Sequence, residues 1–437
     1  MIAGGGEGRR SQLTLYGVML MSAVGTASVQ SLLPGMGRSL GIPDAIIGLS
    51  FALSAIIFTM SGPYWGQRVA YHGARRLVLI GQFGIAMSMI VCGICLTLGA
   101  TGFISGIAAF IGFIAGRAIY GVLGSAAQPA VQAIVVASNA REKRVAALSL
   151  LASAFGLGTI IGPAMAPFLI MPVIGFAGPP LTFGLAGLLL LAAIGMTLRD
   201  VPTAGVAAMT QNLEPGATSE PSAAEIAAAA DAKPVIVKVR YTDSRVLPWL
   251  LCGLVAMHAQ AMSSQTMGFL VIDRLGMSPV QAQPFIGMVL MIGACAMVAV
   301  QWGLVPRIKA GPRRLLLGGG TIAMVGLSGV ALAKDLPTMT ASFALASLGF
   351  GIFRPGYTAG ISLAVGEAEQ GAAAGLITAN NAAVFILGPA IGIWLYGAWR
   401  PLPYLLSALA LAVMLGLAWR SAALSRAARG YGQPVQG

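Results

Sequence analysis

Charge is scarce in this chain. Asp, Glu, Lys and Arg make up 9% of its 437 residues, where a soluble domain carries about a quarter. A polypeptide so poor in charge cannot dress its surface for water, which argues against a soluble enzyme. Histidine is scarcer still, with only His72 and His258. No group of His, Cys, Asp and Glu has metal-ligand spacing, so no metal site is expected. The four cysteines, Cys92, Cys95, Cys252 and Cys295, all lie in apolar stretches. Cys92 and Cys95 form a CxxC without a second pair or a nearby histidine, and read as small buried thiols. A Gly-rich nucleotide loop is missing too. The chain is therefore not expected to be an enzyme, nor to carry a cofactor.

What is present is apolar length. Hydrophobic residues make up 57%, and several runs exceed the roughly 18 residues that cross a bilayer. Apolar length and breaks predict twelve spans, at 12–36, 43–67, 75–98, 103–138, 144–170, 178–198, 246–271, 279–305, 314–333, 337–365, 371–397 and 401–420. The polar, Ala/Glu/Pro-rich stretch 199–245 reads as a linker. It leaves an N-terminal bundle at 1–198, and a C-terminal bundle with a short tail at 246–437. With the N-terminus in the cytoplasm, 20 of the 26 basic residues fall inside and four fall outside: Arg38, Arg274, Lys334 and Arg400. Such a bias orients a multi-pass protein with both termini cytoplasmic. It also accounts for the net charge of +13 without nucleic acid as a partner. The first run is read as a retained span, because this sorting works only if it is kept.

The two halves repeat. "HGARRLVLIGQ" at 72–82 is echoed by "AGPRRLLLGGG" at 310–320, and each follows a Trp-Gly pair, Trp65-Gly66 and Trp302-Gly303. Pro129 precedes Gly162-Pro163 by the same distance as Pro355 precedes Gly388-Pro389, so 128–164 lies on 354–390 without a gap. A parallel duplication of six-helix units is a transporter architecture.

At three places the sequence resembles the major facilitator superfamily, and in particular its twelve-helix drug:proton antiporters. "GQRVAYHGARR" at 66–76 resembles the loop between helices 2 and 3, with Gly66, Gly73, Arg75 and Arg76 in place. Ala70 stands where the family has the Asp of a charge latch. "GRAIYGVLGSAAQP" at 116–129 resembles the helix 4 motif, with Arg117 followed by Gly121 and the small residues Gly124, Ser125, Ala126 and Ala127. "GLGTIIGP" at 156–163 resembles the helix 5 motif of exporters, although Ala166-Pro167 replaces its closing glycines. The resemblance implies an all-α fold of two six-helix bundles related by pseudo-two-fold symmetry. It also implies alternating access in a bacterial inner membrane and a monomeric carrier that exports a small molecule in exchange for protons. Import or facilitated passage of an organic anion is the alternative. Gly158, Gly162 and Pro163, with Gly388 and Pro389, form the expected conformational seam. Gly66, Gly73, Arg75 and Arg76 form the gating loop.

None of the thirteen carboxylates lies deep in a predicted span. The deep polar groups are Gln30, Arg117, His258, Gln260, Gln265, Arg354, Asn380 and Asn381. The resemblance places helices 1, 4, 7 and 10 around a central cavity. Gln30, Arg117, Tyr120, His258, Gln265, Arg354, Asn380 and Asn381 are thus the candidate substrate and proton pathway. An unperturbed imidazole titrates near pH 6.5, which makes His258 the leading proton carrier. Two fixed cations without a fixed anion favour anionic or zwitterionic solutes. A quaternary ammonium dye is expected to cross reconstituted membranes far more slowly than a monocarboxylate; equal rates refute the charge argument.

Overall fold

A computed structural model of the chain describes residues 6–139, 144–171, 173–198, 239–308, 310–366, 369–421 and 424. Most of the linker expected at 199–245 lies outside these residues. In chain order the first helices are α1 (Gly6–Ser39), α2 (Asp44–His72), α3 (Ala74–Ala100), α4 (Gly106–Val122), α5 (Ala127–Ser138), α6 (Arg144–Met165) and α7 (Gly178–Thr197). They are followed by α8 (Leu247–Leu275), α9 (Pro279–Ala299), α10 (Pro312–Leu332), α11 (Leu336–Leu363), α12 (Gln370–Ala398) and α13 (Leu402–Arg420).

The predicted fourth span, 103–138, is one rod made of α4 and α5, joined through a 3-10 turn at Gly124–Ala126. The Ser125 hydroxyl donates to the Val122 carbonyl, a local bond that competes with the helical ladder. The equivalent α11 runs through its own Pro355 without a break. The predicted fifth span is also modified. α6 ends two residues after Pro163, and a 3-10 turn over Ala166–Leu169 continues it, as expected where Pro163 and Pro167 each withhold a backbone donor.

Ten helical rods among the described residues are long and apolar enough to cross a membrane. α6 and α8 are not among them. α6 contributes a shorter apolar stretch, Ser153–Leu169. α8 has the length, but His258, Gln260, Ser263, Ser264 and Gln265 dilute its hydropathy.

The chain divides into two compact units, Met1–Gly216 with Val271–Met291, and Ala217–Leu270 with Ile292–Gly437. In the first unit α1 lies along α6 and α7, while α3 lies along α4, α5 and α7. In the second, α10 lies along α11 and α13, the arrangement that the repeat assigns to α3, α4 and α7. Lipid offers no hydrophobic drive for these contacts, so close backbone approach must supply them. A Cβ added at Gly81 of α3 would lie 2.4 Å from the Ala127 nitrogen, and one at Gly319 of α10 would lie 2.4 Å from the Phe353 nitrogen. These are equivalent positions of the two halves.

The α6 glycines act in the same way. A Cβ on Gly158 would lie 2.5 Å from the Leu20 carbonyl oxygen, and one on Gly162 would lie 2.6 Å from that of Val24. Both therefore seat α6 on α1 within one unit. Gly388 and Gly392 seat α12 on Ala261 and Met262 of α8 in the corresponding way. Gly162→Leu is expected to abolish the folded protein or lower its melting temperature by many degrees, because backbone atoms cannot yield to a side chain. Fluorescence-detected size exclusion of the detergent extract measures this, with Gly156→Leu, which faces open space, as the tolerated control.

Candidate functional site

Arg117 sits on α4 among apolar neighbours and is 5% exposed. Its guanidinium carbon lies 4.5 Å from the centre of the Tyr120 ring. That ring stacks on Phe58 at 5.4 Å, and its hydroxyl lies 3.0 Å from that of Thr26. Tyr120 is thus fixed from α1 and α2, and presents its face to the cation. No carboxylate pairs with Arg117 among the described residues, and its Nη1 is buried without a partner. An arginine at mid-membrane costs about 2.5–3.5 kcal/mol on insertion scales, and a cation–π contact returns about 0.5–2 kcal/mol. The site therefore keeps an unmet demand for negative charge.

A small cavity of about 10 Å³, room for about one water molecule, lies against this cation. Val29 and Leu33 of α1, Ser50, Phe51 and Ser54 of α2, and Phe113 of α4 line it with Arg117. Gln30 is half-buried beside Val29 on α1. Sequence reading missed the α2 residues because nothing in a run of serines and aliphatics shows which face meets α4. Phe113 was nearer to hand, since it stands one helical turn before Arg117.

A second missed feature lies where α1 ends. Arg38 donates to Asp44 through Nε and Nη2, at 3.0 and 2.7 Å, and to Asp273 through Nη1 and Nη2, at 2.8 and 3.2 Å. Nearby, the buried Gln283 of α9 donates to the Ser31 carbonyl at 3.1 Å. The α8–α9 turn is thereby held on α1.

The gating-loop residues divide. Gly73 alone separates α2 from α3, with φ of +79°, a conformation that only glycine adopts without strain. Arg75 donates to the Leu198 and Gly195 carbonyls at 2.6 and 3.0 Å, and so caps the C-terminus of α7. Its repeat equivalent Arg313 donates to the Trp419 carbonyl at 2.7 Å, at the end of α13. A cation on unsatisfied terminal carbonyls is favoured by the helix dipole. Gly66 is buried and Arg76 exposed.

In the second unit, the His258 Nδ1 lies 2.8 Å from the Leu254 carbonyl oxygen. A carbonyl can only accept, so Nδ1 is the donor in this bond. Gln265 is buried, and Arg354 is half-buried with no carboxylate paired to it among the described residues. Asn380 is a tie. It accepts from the Tyr241 hydroxyl at 2.7 Å, and donates to the Leu250 carbonyl and the Tyr357 hydroxyl at 3.3 and 3.1 Å. Its neighbour Asn381 is 8% exposed. Close by, Arg245 donates to Glu369 at 2.7 and 2.9 Å and to Asp243 at 2.7 Å.

Membrane-length helices in two duplicated sets, with polar groups buried among them, are the frame of a membrane carrier. The chain belongs to the Major Facilitator Superfamily, whose model matches residues 15–310. It is 23% identical over 261 residues to a multi-drug resistance efflux pump PmrA homolog from Lactococcus lactis subsp. lactis (strain IL1403), a match covering 58% of each chain. Its fold resembles that of a bacterial homolog to the human lysosomal transporter Spinster, in an inward-facing and occupied conformation. That likeness has a TM-score of 0.70 at 11% identity, over 99% of this chain and 100% of that one. It also resembles the human organic anion transporter MFSD10 (TETRAN), with a TM-score of 0.61 at 17% identity, over 95% of this chain and 100% of that one.

The Arg245 cluster lies outside the apolar spans and gives a pH signature. Hydrogen bonds from Arg245 hold both Asp243 and Glu369 below the usual carboxylate range. Groups depressed on folding stabilise above their unfolded pKa, near 4, and lose that contribution as pH falls through the folded value. The melting temperature is expected to be flat from about pH 7 to 5 and to fall below about pH 4. Arg245→Ala should lower it modestly at neutral pH, with the difference from wild type vanishing in acid.

Proposed function

We propose that this protein is a secondary active transporter of a bacterial inner membrane that exports a small anionic or zwitterionic organic compound in exchange for protons. It works as a monomer of twelve spans, with both termini cytoplasmic. The observation that carries the reading is Arg117, buried, without a carboxylate partner, and bordering a cavity. In a low-dielectric site such a cation attracts an anion and repels a lipophilic cation. The efflux-pump relative and the organic anion transporter among the structural neighbours agree with this direction and substrate charge.

Among the described residues no carboxylate lies deep in a span, which leaves His258 as the proton carrier. The Nδ1 bond to the Leu254 carbonyl holds the ring and leaves Nε2 as the nitrogen not engaged by it. Gln30 of the first unit, and Gln265, Arg354 and Asn381 of the second, are the other polar groups assigned to transport in this reading. The contact of Gly158 and Gly162 on α1, beside the helix break after Pro163, and the contact of Gly388, next to Pro389, on α8 serve as the seam about which alternating access turns. The missing deep carboxylate and Ala70 in the loop favour a second reading, in which an organic anion is imported or passes without protons.

Sealed proteoliposomes with an imposed pH gradient and a trapped pH dye test both readings. Solute-driven proton movement is expected, with its sign giving exchange, and Arg117→Ala should reduce it at least tenfold. His258→Gln should remove the proton movement while leaving solute counterflow. Solute flux without proton movement would establish the second reading instead.

A further inference from the structure

The tips of α8 and α9 belong with the first unit. The boundary between the compact units cuts α8 after Leu270 and α9 after Met291, and Val271–Met291 is grouped with α1 to α7. On the alternating-access reading above, we infer that this tip is a strap that leaves its seat during transport, and that Arg38 is its clasp, held by Asp44 when Asp273 lets go.

The seat is built on α1 and α6. A Cβ added at Gly287 would lie 2.5 Å from the Pro163 carbonyl oxygen, so α9 meets α6 at the backbone, just before α6 ends. Gln283, one turn earlier on α9, is fully buried and donates to the Ser31 carbonyl. Two polar atoms in the same seat go unanswered. Gln283 Oε1 and Ser28 Oγ are buried without a hydrogen-bond partner among the described residues. Each carries a desolvation cost that water relieves on opening. The contact is close, and it is also ready to part.

Arg38 closes the rim. Its planar fork holds Asp44 through Nε and Nη2, and Asp273 through Nη1 and Nη2. The three side chains are between 14% and 25% exposed, so water reaches the ion pairs. Two carboxylates on one cation make the clasp asymmetric. When the strap leaves, Arg38 keeps Asp44 and no buried cation is stranded. Asp273 enters water beside Arg274, its neighbour in sequence. Asp44 is an addition to its hairpin, not a requirement of the fold. Arg38 precedes Pro43 by the same distance as Arg274 precedes Pro279, and Val280 stands in the second hairpin where the first has Asp44. The two acids therefore act with opposite sign. Removing Asp273 frees the strap. Removing Asp44 leaves Arg38 dependent on Asp273 and holds the strap down. A plain structural staple would be loosened by the loss of either.

The test is the rate at which a membrane-impermeant maleimide, added outside right-side-out vesicles, labels Ser31→Cys in the full-length protein. Ser31 is fully buried, and its carbonyl takes the Gln283 bond, so labelling at this position reports release of the strap. The parent protein gives the background from the native cysteines, and Thr101→Cys, exposed at the end of α3, gives the accessible standard. Labelling is expected at least tenfold below that standard. Asp273→Asn should raise it at least threefold, and Asp44→Asn should lower it at least threefold. Arg38→Lys keeps the charge but cannot fork onto both acids. It should raise the rate as Asp273→Asn does, and it replaces that variant if Asp273→Asn does not fold. Both acids moving the rate in one direction, or neither moving it in folded protein, would overturn the clasp. So would labelling of Ser31→Cys at the rate of the standard. The rates are measured without solute or proton gradient, so they stand apart from what is carried. Unchanged rates in a protein that still moves protons with solute sink the strap and leave the transport reading. Opposite shifts in a protein that carries no solute keep the clasp and sink the transport reading.

Discussion

Helices in a bilayer gain nothing from hiding apolar surface from one another, because lipid is as apolar as leucine. What holds this protein together is close contact between backbones, and glycine is what permits it. Gly81 and Gly84 of α3 meet the backbone where α4 passes into α5, and Gly319 and Gly349 bring α10 and α11 together. Gly158 and Gly162 bring α6 onto α1. The same requirement recurs at equivalent places in both halves, at Gly81 and at Gly319.

Charge is handled in two ways, according to depth. At the helix ends four cations have partners. Arg38 holds two carboxylates, Arg245 holds two more, and Arg75 and Arg313 cap helix C-termini. The capping pair recasts the duplicated Arg-Arg loops. One arginine of each is committed to closing the last helix of its half, a structural duty that leaves Arg76 and Arg314 as the freer members. At depth, Arg117 has a tyrosine face and a small cavity beside it, and no carboxylate pairs with it among the described residues.

Other polar groups turn out to hold structure. Asn380, one of a pair suggestive of substrate contact, spends its amide on Tyr241, Leu250 and Tyr357. It joins the approach to α8 with α11 and α12. His258 is bound to its own helix through one nitrogen and keeps the other.

The sequence alone determined the membrane class, the positions of the rods and their duplication. Each of these follows from local quantities: the length of an apolar run, the side on which lysines and arginines fall, and the spacing of glycine and proline. Arg117 was legible for the same reason, since a cation in an apolar run stands out in one dimension. What surrounds it was decided by tertiary structure. Ser50, Phe51 and Ser54 look like any residues of an apolar helix until α2 is laid against α4. Arg38 and Asp273 are 235 positions apart, and the glycines of α6 carry no mark of the helix they will meet. Pairing across such distances depends on how whole helices rotate and pack, and no local pattern records that.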